Sequence, residues 1–122
     1  GSQTFEKLTI DQSVGNPGQM QWDGQYLTYE SQSGSQPTIT QLSVAGSNAS
    51  VVSQTVLKKA DILALSWIYR GTVVAPYNPH GSHRTSVGIW KYPKGSLMKS
   101  ITNFAPFHRK FFHFNAAVVS AP

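Results

Sequence analysis

The sequence predicts an all-β protein, and three observations lead to this expectation. Of the 122 residues, 12% are charged and 11% are aromatic, a balance that suits strands with polar faces better than disorder. Short β-rich segments alternate with turn signals, as where a Pro-Lys-Gly turn separates Val87–Tyr92 from Leu97–Phe104. The hairpin pattern also recurs, because Gly46 and Gly95 are 49 positions apart and each follows an alternating strand.

The first half of the chain contains two predicted hairpins. Gln19–Trp22 and Gln25–Glu30 flank an Asp-Gly pair, which favours a tight turn because both residues tolerate positive φ. Ile39–Ala45 and Ser50–Leu57 form the second hairpin. An additional strand is predicted at Thr4–Ile10, where apolar and polar residues alternate.

The second half repeats this arrangement. Ile62–Tyr69 suits either a short helix or a strand, and we predict a strand because an Arg-Gly turn and the β-branched segment Thr72–Tyr77 follow it. Pro76–Ser86 is predicted to be a long loop that leads into the last hairpin. One more strand is predicted at Asn115–Ser120.

These strands form two predicted four-stranded units within a single domain covering residues 3–122. The first unit runs from about residue 18 to 57 and the second from about 62 to 104. Trp22 and Trp67, 45 positions apart, support the recurrence. Gly1-Ser2 is typical of a cleaved tag, so we expect the native start to lie elsewhere.

Three short motifs carry a resemblance to a known family. Trp22-Asp23-Gly24, the Tyr92-Pro93-Lys94-Gly95 turn and the Ile101-Thr102 strand end resemble motifs of NHL-repeat and gluconolactonase-like β-propellers. The resemblance implies two complete propeller blades plus terminal half-blade strands; the alternative fold is a monomeric β-sandwich. Gluconolactonase-like propellers hold a divalent cation with inward carboxylates and amides. No acidic residue of this chain lies in a matching motif, so no metal ligand is assigned and no cofactor is predicted.

Two blades cannot close a propeller, which typically has four to eight. Blade faces left exposed to water would lose the free energy that burial of their apolar side chains provides. We therefore expect copies of the chain to associate into a ring, with Thr4–Ile10 of one chain completing a blade of another. Residues 1–57 carry a net charge of −3 and residues 58–122 carry +8, which together give +5. This asymmetry favours a head-to-tail homo-oligomer, or an anionic partner for the second half.

The candidate ligand-binding residues are Arg70, Tyr77, His80, His83 and Arg84, most of them in the predicted long loop. They predict a binding or structural module that takes a small-molecule or glycan ligand. Two imidazoles near an arginine also suit metal binding or acid–base chemistry near neutral pH. The alternative is therefore a small metal-dependent hydrolase of lactonase or phosphotriesterase type, with a divalent metal. The sequence leaves open whether the protein is an enzyme.

Aromatic residues suggest two further interpretations. Basic and aromatic residues interleave in Phe107–Phe114, which suits single-stranded nucleic acid, but strand alternation favours packing there, so no nucleic-acid partner is predicted. Aromatics that recur once per unit also suit lectin-like carbohydrate binding. For Trp22 and Trp67 we predict core packing instead.

Two functional classes are disfavoured by composition. The chain has no cysteine, which excludes disulfides and thiolate chemistry. No apolar run approaches the ~20 residues of a membrane span, so no membrane association is expected. Nothing in the sequence indicates a cellular compartment.

Overall fold

The computed structural model describes residues 7–13, 16–33, 36–63 and 65–102, and these residues contain strands and turns but no helix. The all-β prediction is confirmed. The strands are β1 (Thr9–Ile10), β2 (Asn16–Trp22), β3 (Leu27–Ser33), β4 (Gln36–Ala45), β5 (Asn48–Val56), β6 (Ala60–Leu63), β7 (Trp67–Tyr69), β8 (Thr72–Pro79), β9 (Ser86–Lys91) and β10 (Ser96–Ile101). The predicted strand at Asn115–Ser120 and the segment Phe107–Phe114 lie outside the described residues. In the described part of the chain there is accordingly no helix that could span a membrane.

The first sheet has the strand order β1-β5-β4-β3-β2. Strands β2 to β5 form an antiparallel meander, as the two predicted hairpins require. Strand β1 adds to the edge in parallel orientation, with Thr9 opposite Asn48 and Ile10 opposite Ala49. These two residues of the predicted N-terminal strand thus pair with β5 of their own chain.

The second sheet has the order β10-β9-β8, followed by β6 and β7, which both pair with β8. Leu63 lies opposite Tyr77 and Trp67 lies opposite Val74, so β6 and β7 line successive parts of β8 as one interrupted strand. The strand prediction for Ile62–Tyr69 is therefore right and the helix alternative is wrong. The second sheet is also a four-stranded antiparallel meander.

The two meanders match each other in register. Trp22 pairs with Leu27 as Ile68 pairs with Val73, and both members of the second pair follow the first by 46 positions. Each meander also has a bulge in its last strand, where the ladder skips Val52 in β5 and Met98 in β10. These two bulge residues are again 46 positions apart, so the recurrence seen in the sequence is a recurrence of paired strands.

This register differs by one residue from the one that the tryptophans suggest, because the strand pairing makes Trp22 correspond to Ile68 rather than to Trp67. Both pairs enclose four residues. In the first turn Asp23 accepts hydrogen bonds from the backbone N–H groups of Gln25 and Tyr26, and in the second turn Arg70 and Gly71 are both at positive φ. A slip of one residue moves a side chain to the other face of a sheet.

The core lies between the two sheets, whose facing sides we call the inner faces. Ile39 and Leu57 of the first half pack with Val73, Tyr77 and Trp90 of the second sheet. Trp90 is fully buried, whereas Trp22 is 62% and Trp67 38% exposed, so the core prediction for these two residues is wrong.

Gly88 makes the position of Trp90 possible. A Cβ on Gly88 would lie 2.1 Å from the indole ring, which therefore lies directly over this part of β9. The ring meets Tyr77 edge-on at 4.9 Å between centroids, and its Nε1 donates to the Lys58 carbonyl at 2.9 Å. The indole thereby connects β8, β9 and the segment that joins the two sheets.

Candidate functional site

The predicted long loop is shorter in the structure than in the sequence analysis. Strand β8 continues to Pro79, because Val73, Ala75 and Tyr77 alternate inward without interruption. The loop therefore covers residues 80–85 only. Tyr77, a predicted ligand-binding residue, is 1% exposed, and its hydroxyl donates to Ser100 at 2.8 Å. The structure places Tyr77 in the core and not at a binding surface.

Asp61 organises the start of this loop. Its carboxylate oxygens contact His80 Nδ1 at 2.5 Å and accept the Gly81 N–H at 2.9 Å. The hydrogen bond with His80 is the main reason why the pKa of Asp61 is lowered, and the bond from Gly81 adds to it. Asp61 is the partner that the sequence analysis missed, because the β6–β8 pairing brings together residues 19 positions apart.

The other predicted site residues are not gathered around this contact. His83 and Arg84 are exposed in the same loop, where the Arg84 N–H donates to Ser82 Oγ. Arg70 lies in the turn before β8, at the opposite end of that strand, with its guanidinium 5.1 Å from the centre of the Tyr69 ring. Three exposed residues in one loop and a fourth across the sheet do not define a common ligand site.

No group of three or more His, Asp or Glu residues in the described ranges is placed to hold a metal ion. The contact between Asp61 and His80 supplies two candidate ligands, and structural zinc sites use four. The metal-dependent hydrolase stays a prediction from the sequence, with no geometry that favours it.

Polar side chains join the two inner faces. Glu30 is 7% exposed, and its Oε2 accepts hydrogen bonds from both the N–H and the hydroxyl of Ser66. Gln21 contacts the free edge of β7 with its side-chain amide, which accepts from the Ile68 N–H and donates to the Ser66 carbonyl. This amide occupies the edge where another strand would otherwise pair. Burial raises the pKa of Glu30 more than the two bonds from Ser66 lower it.

We predict that Glu30→Gln removes a pH dependence of stability. Because the pKa of Glu30 is raised in the folded state, protonation of this carboxyl stabilises the folded chain over the unfolded one. This stabilisation is fully present below the ordinary pKa of 4.5 and is lost as the pH rises through the folded-state pKa. In thermal unfolding, the stability of the variant relative to the wild type should therefore be higher at about pH 8 than at about pH 4. Ser66→Ala, which removes one hydrogen bond to the carboxylate, should steepen the wild-type dependence. Equal pH profiles for Glu30→Gln and the wild type would contradict this account.

A second polar contact joins the turns of the two sheets. The Tyr92 hydroxyl and the Gln41 amide donate to Asp23 Oδ2, each at 2.6 Å. Burial opposes the charge of Asp23, but these bonds and those from the backbone of its own turn outweigh burial and lower the pKa of the carboxyl. Burial, reinforced by Asp23, raises the pKa of Tyr92. The hydrogen bond between Tyr92 and Asp23 thus connects the two sheets.

The outward side of the second sheet is the most distinctive surface of the described residues, and we call it the Trp67 face. Its residues fall into three rows across the strands: Tyr69–Thr72–Lys91–Ser96, Trp67–Val74–Ile89–Lys99 and Pro76–Val87–Ile101. Trp67, Tyr69 and Ile101 are 38%, 49% and 39% exposed. Exposed apolar side chains on one sheet face make this face a candidate interaction surface.

The charges of the Trp67 face have one sign. Lys91 and Lys99 are exposed on β9 and β10, while Trp67 and Tyr69 lie on β7, so the cations and the aromatics occupy opposite halves of the sheet. No row contains an acidic residue. The sequence signal for this surface was present, because Thr72–Pro79 and Ser86–Lys91 carry apolar residues on both faces, which is unusual for a sheet with one solvated side.

The outward side of the first sheet is different, because its centre is already covered. Tyr29, Leu42 and Ala49 are buried there, and Leu8 and Ile10 pack against them. Exposed apolar side chains remain at its margins, among them Met20, Trp22, Val44 and Val56. The first sheet is thus filled at its centre and apolar at its margins, whereas the centre of the Trp67 face is partly exposed.

Comparisons with protein-family models, with curated proteins and with solved structures found no match for this chain. The fold defines it as an all-β protein of two packed antiparallel meanders, with exposed apolar side chains on the outward sides of both sheets.

Proposed function

We propose that this protein is a self-associating structural or binding module of propeller-blade type, and that the Trp67 face is its association surface. The observation that carries the proposal is the exposure of Trp67, Tyr69 and Ile101 together on one sheet face. Buried apolar area contributes about 25 cal/mol per Å2, so covering a few hundred Å2 is worth several kcal/mol before the costs of association.

The match between the two meanders supports the blade-type interpretation. The pairing of the first two strands and the position of the bulge both recur after 46 residues, as in a repeat architecture where each unit buries its face against the next. The inner face of the first unit packs against the second unit, and no further unit follows the second in the described chain. Closure into a ring stays a prediction, since Leu8 and Ile10 occupy part of the face that a head-to-tail join requires.

The size of the face predicts a weak and reversible association. Four strands at ~4.8 Å spacing and about five residues at ~3.3 Å give roughly 300 Å2 of sheet on each copy. This is less than the ~800 Å2 per partner of a standard stable interface. We therefore expect a dissociation constant of roughly 10 to 1,000 µM.

Sedimentation equilibrium across that concentration range tests the proposal. The wild-type mass should rise above that of one chain, and Ile101→Lys should hold it at one chain. Val44→Lys is the matched control, because Val44 is a similarly exposed apolar strand residue on the first sheet, 47% exposed against 39% for Ile101. A wild-type chain that stays monomeric at the highest concentration would refute self-association.

A further inference from the structure

We infer that the partner of the Trp67 face is the same face of a second copy, packed about a twofold axis that runs parallel to the strands. This inference rests on the proposed self-association and adds the arrangement of the two copies. It places Trp67 of each copy over Lys99 of the other.

The strand order determines which strands of the two copies lie over each other in such a dimer. A twofold axis along the strands keeps each row at its own height and exchanges the two edges of the sheet, so β7 of one copy lies over β10 of the other. The row Trp67–Val74–Ile89–Lys99 of one copy then lies over the same row of the other copy, running in the opposite direction. Trp67 meets Lys99, and Val74 meets Ile89 at the centre.

Charge favours this axis over one perpendicular to the strands. A perpendicular axis that passes over the row of Trp67 and Lys99 would keep the edges in place and set Lys99 against Lys99 of the partner, a like-charge contact at a partly desolvated surface. The axis along the strands avoids this and sets Lys91 over Thr72 instead. An ammonium above an indole is attracted to the ring face, which is the preferred geometry for such a pair.

Trp67 is the aromatic best placed to receive a lysine. The Tyr69 ring already has the Arg70 guanidinium of its own chain 5.1 Å from its centre. The neighbouring aliphatic residues supply the dry centre, since Val74, Ile89 and Val87 are each partly exposed. An aromatic anchor beside an aliphatic centre and a cationic rim is typical of protein interfaces.

Packing against the first sheet of a second copy is less favourable. Tyr29 and Leu42 on the outward side of that sheet are 4% and 1% exposed, so little free apolar area remains at its centre. A head-to-tail join would have to displace Leu8 and Ile10. The pair of Trp67 faces forms from surfaces that are already exposed.

Charge substitution at positions 67 and 99 tests the arrangement by sedimentation equilibrium. Trp67→Lys should abolish dimers, because it opposes Lys99 of the partner. Adding Lys99→Glu to the same chain should restore them, and mixing Trp67→Lys with Lys99→Glu chains should yield heterodimers. Within one chain these positions are three strand spacings apart, ~14 Å, so a contact inside the monomer does not explain such a rescue. Circular dichroism confirms that each variant is folded.

The outcomes separate the two proposals. A monomeric wild type refutes self-association itself. Wild-type dimers that survive Trp67→Lys, or that Lys99→Glu fails to restore, refute the twofold arrangement while self-association stands. Loss of dimers in Trp22→Glu, with Trp67→Lys still dimeric, would assign the contact to the first sheet. Binding of a fluorescent oligo(dT) by a wild type that stays monomeric, lost in Trp67→Lys, would assign the face to single-stranded nucleic acid and overturn the inference.

Discussion

Gly95→Ala is expected to lower the free energy of unfolding by more than about 3 kcal/mol, which places it among the most damaging single substitutions. Gly95 has φ +68°, and a Cβ there would lie 1.9 Å from the Val56 carbonyl oxygen. That oxygen belongs to the end of β5, and the Gly95 carbonyl accepts the Lys58 N–H at 2.9 Å. The added methyl group would push the last turn away from the segment that joins the two sheets.

Gly46→Ala is the matched control for this prediction. Gly46 has a similar φ of +58°, but a Cβ there has nothing within 4 Å. Its substitution should cost only the ~1–2 kcal/mol of an alanine in the left-handed region. Urea unfolding of both variants separates backbone strain from the clash, and equal losses would show that the close contact with Val56 has no energetic weight.

Trp90→Ala is expected to cost about 3–5 kcal/mol, the range for removing a large buried aromatic side chain. The indole is fully buried, meets Tyr77 edge-on and satisfies the Lys58 carbonyl. Truncation leaves a cavity between the sheets and removes the hydrogen bond to the Lys58 carbonyl. The two-state unfolding midpoint should fall accordingly.

Trp67→Ala on the same sheet provides the comparison. Its side chain is on the Trp67 face and 38% exposed, so the loss measured at low protein concentration should stay within about 1 kcal/mol. Because the two tryptophans differ in which side of the sheet they occupy, a similar loss for both would contradict the assignment of the inner face. Circular dichroism in urea measures both variants on the same scale.

Much of the fold could be predicted from local patterns. The Asp-Gly, Arg-Gly and Pro-Lys-Gly turns all join antiparallel strands in the structure. The choice of strand over helix before Arg70 was also right, because β-branched residues and a tight turn follow that segment. Such features depend on residues close together in the chain, so the sequence carries them directly.

The candidate site was harder to predict, as Tyr77 shows. Residue types that are common in loops, such as Pro79 and His80, made the whole segment resemble a loop, yet Tyr77 continues the inward alternation of β8 and packs on Trp90. The contact between Asp61 and His80 also depends on strand pairing across 19 positions. Neither the burial of Tyr77 nor the partner of His80 is encoded in a local motif.

Sequence alone determined that this protein is all-β and that its hairpins recur along the chain. Tertiary structure decided which side of each strand faces inward, and so which tryptophan is core and which is surface. The physical reason is that β8 and β9 carry apolar residues on both sides, so alternation does not distinguish the faces. Strand pairing set the register, and packing against the first sheet then buried Trp90 and left Trp67 exposed on the other side.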